Sequence, residues 1–165
     1  IRPMDQFNLL DRIDRLDLEA GEVRAMRNLT LAEDYLADHF PGFPVMPGVM
    51  MLEAMVQASA WWVRAKTDFA HAIVVLHQAR NARYASFLNP GETLRVESNL
   101  HKSDEGLWTF KARGLRDDRE IVSARLTLRA FNLADDDPDM APADRYTIGK
   151  LREKFALLTR DLNSD

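Results

Sequence analysis

Glu53 sits inside an apolar stretch running from Val49 to Thr67, where a carboxylate taken out of water costs several kcal/mol unless it is paired, hydrogen-bonded or protonated. Gln57 follows four residues later, one helical turn on and on the same face, so its carboxamide can hold and orient that carboxyl group. A carboxyl held in this way is suited to giving a proton as a general acid. Upstream, His39 precedes Phe40-Pro41-Gly42-Phe43-Pro44, a loop that two prolines stiffen and a glycine opens to close approach. Imidazole is the side chain best placed to accept a proton near neutral pH, and the chain after this loop turns into the segment bearing Glu53. The two are a candidate acid/base couple. Gly48 opens the same segment, where the unpaired N–H groups and positive dipole end of a helix start would polarise a carbonyl oxygen. The bland alternatives are a satisfied core carboxyl at Glu53 and an ordinary packed or exposed histidine at His39.

These residues need elements to carry them. Val49 to Thr67 is polar only at Glu53, Gln57, Ser59, Arg64, Lys66 and Thr67, so the pattern predicts a helix buried on most sides with the remaining chain wrapped round it. Before it, Ile13 to Leu16 and Val23 to Met26 alternate with period two around Glu19-Ala20-Gly21-Glu22, which predicts a hairpin. Thr30 with Glu33 forms a capping-box pattern and predicts a short helix over Leu31 to Asp38. After it, strands are expected over Ala72 to His77, Ala79 to Tyr84, Thr93 to Lys102, Leu107 to Leu115 and Glu120 to Phe131. Turn signals at Asn89-Pro90-Gly91, Asp104-Glu105-Gly106 and Asp117-Asp118 separate the later ones. A hairpin, one long helix and an antiparallel meander make an α+β domain over residues 1–131. Residues 132–146, with Asp135-Asp136-Asp137-Pro138-Asp139, read as an acidic linker. Ile148, Leu151, Phe155, Leu158 and Leu162 then predict an amphipathic helix over 147–165 that docks on the domain or on a neighbouring subunit.

Composition excludes several classes. The 165 residues are 46% apolar and 29% charged, the balance of a globular domain. The absence of cysteine removes disulfides, thiolate zinc sites and cysteine nucleophiles. A net charge of −4 with scattered positives argues against nucleic acid. The acidic run lacks the glycine and distal glutamate of a calcium loop, and His71, His77 and His101 share no metal-ligand spacing, so no metal is expected. No glycine-rich dinucleotide or phosphate loop is present. Without a basic and apolar leader or a clean membrane-length stretch, the expectation is a cytoplasmic protein that does not engage membranes.

The gapless segment His39-Phe40-Pro41-Gly42-Phe43-Pro44-Val45-Met46-Pro47-Gly48-Val49-Met50-Met51-Leu52-Glu53-Ala54-Met55-Val56-Gln57 resembles the active-site signature of the 3-hydroxyacyl-acyl-carrier-protein dehydratases of the FabZ and FabA type. Arg83-Tyr84 and Asn89-Pro90-Gly91-Glu92 resemble a later region of that family, and the likeness spans roughly Asn8 to Leu128. It implies a hot-dog fold, in which a curved antiparallel sheet wraps a long helix, and a homodimer, or a hexamer of such dimers, with active sites shared between chains. His39 of one chain would abstract the C2 proton and Glu53 of the other would protonate the departing 3-hydroxyl. The Gly48 N–H would hold the thioester oxygen, and Gln57 would orient Glu53. Glutamate at position 53, where the FabA branch has aspartate, points to dehydration without isomerisation, the FabZ-like reaction.

No cofactor is implied beyond the phosphopantetheine of an acyl carrier protein, or coenzyme A, that carries the substrate. Phe40, Phe43, Val45, Met50 and Trp61 are candidates to line an acyl tunnel, and equally ordinary core residues. Acyl carrier protein is acidic, so Arg64, Arg80, Arg83 and Lys102 are candidates to dock it. Two departures stand out: Asp5-Gln6-Phe7-Asn8 occupies the place of the family's usual His-Arg-Tyr-Pro, and Trp61-Trp62 replace smaller residues. The competing functions are a hot-dog thioesterase with Glu53 as base, and a non-catalytic scaffold that binds acyl carriers.

Overall fold

The computed structural model describes residues 8–33, 36, 42 and 44–162. His39, Phe40 and Phe43, half of the short helix expected over Leu31 to Asp38, and Asp5 to Phe7 lie outside the described residues. Strands β1 (Arg12–Asp17) and β2 (Glu22–Asn28) form the expected hairpin. Gly21 closes it with φ of +75°, and a Cβ there would lie 2.9 Å from that of Leu100, so both conformation and space call for glycine.

Helix α1 (Gly48–Lys66) follows, then β3 (Ile73–Tyr84), β4 (Thr93–Asp104), β5 (Leu107–Arg116) and β6 (Arg119–Phe131). The six strands form one antiparallel sheet in the order β1-β2-β4-β5-β6-β3. This is the hot-dog arrangement.

The sequence pattern explains how helix and sheet meet. Met51, Ala54, Met55, Ala58 and Trp62 recur at helical spacing and are fully buried. Opposite them, Leu94, Val96 and Ser98 of β4 and Val122, Ala124, Leu126 and Leu128 of β6 alternate inward with period two. Two hydroxyls taken inside satisfy each other: Ser59 Oγ lies 2.8 Å from the Met55 carbonyl and 2.6 Å from Ser98 Oγ. The Trp62 indole donates to the Asp17 carbonyl at 3.0 Å while its ring meets Trp108 and Phe110 edge-on.

Three expectations are corrected. Ala72 to His77 and Ala79 to Tyr84 are one strand, β3, interrupted by register shifts at Leu76/Gln78 and Arg80/Arg83 that break the period-two pattern. Residues 132–146 are folded: 3₁₀ turns cover Leu133–Asp135 and Pro138–Met140, and helix α2 spans Ala141–Leu158. It starts six residues earlier than expected because Pro142 falls in the first turn, where a missing N–H costs nothing. Asp144, 5% exposed, accepts from the Leu133 and Ala134 amides at 3.0 and 2.8 Å and fixes this junction. Thirdly, Thr30 and Glu33 do not close a capping box; Glu33 pairs with Arg27 instead.

No helix among the described residues is long and apolar enough to cross a membrane. Strand β3 forms the sheet edge beyond β6, and Val75, Leu76 and Tyr84 on it are exposed.

Candidate active site

Helix α1 begins without a side-chain cap and with no acidic residue in its first turn, so the positive end of its dipole is not offset locally. The Met50 and Met51 amides already bond back to the Pro47 carbonyl at 2.9 and 3.2 Å. The helix start is held in place by a bridge from Met46 N–H to the Leu88 carbonyl at 2.9 Å. Leu88 leads into Asn89-Pro90-Gly91-Glu92, a turn closed by Glu92 on the Asn89 amide and tied to Leu29 by two backbone bonds. The Tyr84 ring at the end of β3 lies against Gly48 so closely that a Cβ there would be 2.8 Å from two of its carbons. Glycine therefore lets the Tyr84 ring lie directly against the helix start.

Glu53 is half-buried in the second turn of α1. Gln57 Nε2 donates to Glu53 Oε1 at 3.3 Å. The other end of the same carboxamide, Oε1, accepts the Leu9 N–H at 2.9 Å. With its oxygen taken by an amide donor, the carboxamide must turn its nitrogen toward Glu53. Leu9 is itself fixed by Asn8, whose side chain bonds the Leu10 N–H at 3.2 Å and the Leu10 carbonyl at 2.6 Å. Sequence reasoning missed this backbone anchor, because only the fold brings Leu9 to a residue 48 positions away.

Among the apolar candidates, Val45 is fully buried, Met50 half-buried, and Trp61 5% exposed. The Trp61 ring stacks on Phe155 of α2 at 5.9 Å and 25°. Arg80, Arg83 and Lys102 are exposed on the outer face of the sheet.

Arg64 is a correction: it is 8% exposed, its guanidinium lies 4.8 Å over the Trp61 ring, and burial pushes it down to about 10. Its place at the covered end of α1 removes it from any docking surface.

Two further cations went unnoticed in the sequence. Arg80 pairs in register with Arg125, and Arg125 with Lys111, so three positive residues stand in a row across β3, β6 and β5. Like charges directly opposite are unfavourable, and period-two alternation within each strand gives no hint that the three align. His101 lies beside them, held below the usual imidazole range by desolvation and then by Lys111, Arg125 and Lys102. No group of residues suited to hold a metal ion occurs among those described.

A family model described as a FabA-like domain matches residues 2–125. The chain belongs to the FabA-like family. It is 31% identical over 121 residues to the 3-hydroxyacyl-[acyl-carrier-protein] dehydratase FabZ of Wolbachia pipientis wMel, covering 73% of this chain and 84% of that one. It is 34% identical over 131 residues to the FabZ dehydratase of Albidiferax ferrireducens, covering 78% and 87%. Both relatives are named as dehydratases, which are hydro-lyases.

Among solved structures, the dehydratase heterocomplex ApeI:P from Xenorhabdus doucetiae superposes with a TM-score of 0.65 at 21% identity, over 81% of this chain and 94% of that one. The conserved protein PA5202 from Pseudomonas aeruginosa gives 0.61 at 14% identity, over 79% and 95%. Both likenesses concern the fold. The family match stops before α2, which lies wholly beyond residue 125.

Proposed function

We propose that the chain removes water from (3R)-3-hydroxyacyl thioesters carried on acyl carrier protein, giving trans-2-enoyl thioesters for acyl-chain synthesis. The observation that carries this reading is the half-buried Glu53 carboxyl, oriented by Gln57 and set one turn beyond an uncapped helix start. A proton alpha to a thioester is weakly acidic and hydroxide is a poor leaving group, so the reaction needs one group to take a proton and another to give one. His39 takes the C2 proton, and the C–H electron pair becomes the C2–C3 double bond. The C3–O bond breaks as Glu53 delivers its proton, and the hydroxyl departs as water. Negative charge gathering on the thioester oxygen is met by the Gly48 N–H and the helix dipole. A positioned acid/base pair supplies ~10²–10⁴-fold and an oxyanion donor ~10²–10³-fold, without any redox group.

The working unit is a homodimer in which His39 of one subunit faces Glu53 of the other. The sheet edge at β3, with its backbone groups and exposed Val75 and Leu76, favours a second copy of the chain there.

The test follows enoyl absorbance and free thiol together during hydration of crotonyl thioesters. Loss of the enoyl signal without thiol release is expected in the wild type and not in His39→Ala or Glu53→Gln. Refolding the two inactive variants together restores activity, because a mixed dimer contains one intact site. Thiol release overturns the reading in favour of a thioesterase, no signal at any chain length in favour of a scaffold, and failure of the mixture to recover overturns the shared site.

A further inference from the structure

One peptide unit joins the N-terminal segment to the site. The carbonyl of Asn8 and the N–H of Leu9 belong to the same planar group, so whatever fixes one fixes the direction of the other. The N–H donates to Gln57 Oε1 at 2.9 Å, and the carbonyl accepts from the Arg27 guanidinium at 3.4 Å. Gln57 Nε2 in turn reaches Glu53 Oε1 at 3.3 Å. An unbroken run of donors and acceptors therefore leads from a side chain on β2 to the carboxyl on α1.

Arg27 is held where it can anchor that run. Its side chain is 13% exposed at the end of β2. One terminal nitrogen pairs with Glu33, and the other serves both the Asn8 carbonyl and the Asp11 carboxylate, the latter at 3.5 Å. Asp11 is itself pinned to β2, its N–H on the Met26 carbonyl at 2.9 Å and its carboxylate on the Asn28 N–H at 2.7 Å. Two carboxylates offset the guanidinium's charge, so what it passes toward Glu53 is direction rather than field. A planar fork with fixed donor directions holds three acceptors at once; an ammonium on a flexible stem does not.

We propose that Arg27 is a positioning residue for Glu53: it fixes the Asn8–Leu9 peptide, the peptide sets the Gln57 carboxamide, and the carboxamide aims the carboxyl. This rests on the reading of Glu53 as the proton donor. Arg27 acts through the relay and not on the substrate.

The experiment uses two variants of the full chain. Arg27→Lys keeps a cation for Glu33 and Asp11 and gives up the fork; Arg27→Met gives up both. Each is expected to lose ~3-fold or more in kcat for crotonyl-coenzyme A hydration with KM within about 2-fold, the split left by an interaction realised in the transition state. The deciding comparison is made in a Gln57→Met background. With the carboxamide gone the relay has nothing to deliver, so adding Arg27→Lys there is expected to change kcat by less than about 1.5-fold. A merely structural loss would carry over into that background in full. Arg27→Lys also keeps the test sound if Arg27→Met, which strands two carboxylates, does not fold. A readout free of turnover is the Leu9 amide proton followed by NMR, which is expected to shift and to exchange with solvent ~3-fold faster or more in Arg27→Lys as its bond to Gln57 slackens. An unchanged kcat in folded Arg27→Lys, an equal loss with and without Gln57, or an unmoved Leu9 amide overturns the relay. A wild type that hydrates no thioester overturns the reading of Glu53 and the proposal with it, and is told apart by a Leu9 amide that still responds to residue 27.

Discussion

Gln57 hands a backbone constraint from the N-terminal segment to the Glu53 carboxyl: its amide nitrogen meets Glu53 at 3.3 Å because its oxygen is occupied by Leu9 at 2.9 Å. The two halves of the amide cannot exchange roles without leaving Leu9 N–H and Glu53 facing the wrong partner.

Removing the amide while keeping its bulk separates orientation from packing. Gln57→Met is expected to lower kcat for crotonyl hydration ~10-fold with KM nearly unchanged, the signature of an interaction realised in the transition state. Glu53→Gln, which removes the proton donor itself, is expected to cost ~10²–10⁴-fold. Steady-state kinetics on both variants, with circular dichroism to confirm folding, checks the pair; equal losses would place Gln57 in the chemistry rather than in positioning.

The cation row of Arg80, Arg125 and Lys111, with Arg83 and Lys102 beside it, suits an acidic carrier protein. Arg83 stands on the outer face one residue before Tyr84, whose ring touches Gly48 from the helix side. Reversing two charges, Arg80→Glu with Lys102→Glu, is expected to raise KM for a carrier-bound thioester ~5–10-fold and to leave the coenzyme A thioester within about 2-fold. The gap between the two substrates should shrink as salt rises.

His101 reports on the same face. Its imidazole is expected to titrate below 6.5, and Lys111→Gln to move the midpoint up, as followed by NMR of the ring protons. The depressed value means that the unfolded chain binds a proton first, so this residue's contribution favours the folded state above 6.5 and is lost as pH falls through that region.

Arg64 is a buried cation whose Nε finds no hydrogen-bond partner. Replacing a buried cation by an apolar side chain of similar length relieves its desolvation cost. Arg64→Met is therefore expected to leave the fold intact and to raise stability by ~1 kcal/mol, read as an increase in melting temperature. A fall of similar size would mean that the stack on Trp61 outweighs the penalty.

What was legible in the sequence was local. The hairpin around Gly21, the helix from Gly48 and the three long strands β4, β5 and β6 follow periodicities that neighbouring residues enforce. The pairing of Glu53 with Gln57 was legible for the same reason, since four residues make one turn. Register was not: the shifts inside β3 hid its continuity, and nothing within a strand announces that Arg80, Arg125 and Lys111 share a row. Burial of a charge was misjudged at Arg64 because a basic residue in the last turn of a helix reads as solvated, whereas here its guanidinium lies over the Trp61 ring. The amide that fixes Gln57 belongs to Leu9, an apolar residue whose side chain gives no sign of the backbone's part.

The stacking of Trp61 on Phe155 also bears on how the chain is made. Trp61 and Phe69 leave the ribosome long before Phe155, and until α2 arrives their rings face water. The nascent sheet and helix thus present an adhesive aromatic patch during synthesis, a natural station for a chaperone. The last helix does more than enlarge the protein: its docking hides the patch and ends the interval in which a neighbouring nascent chain can stick to it.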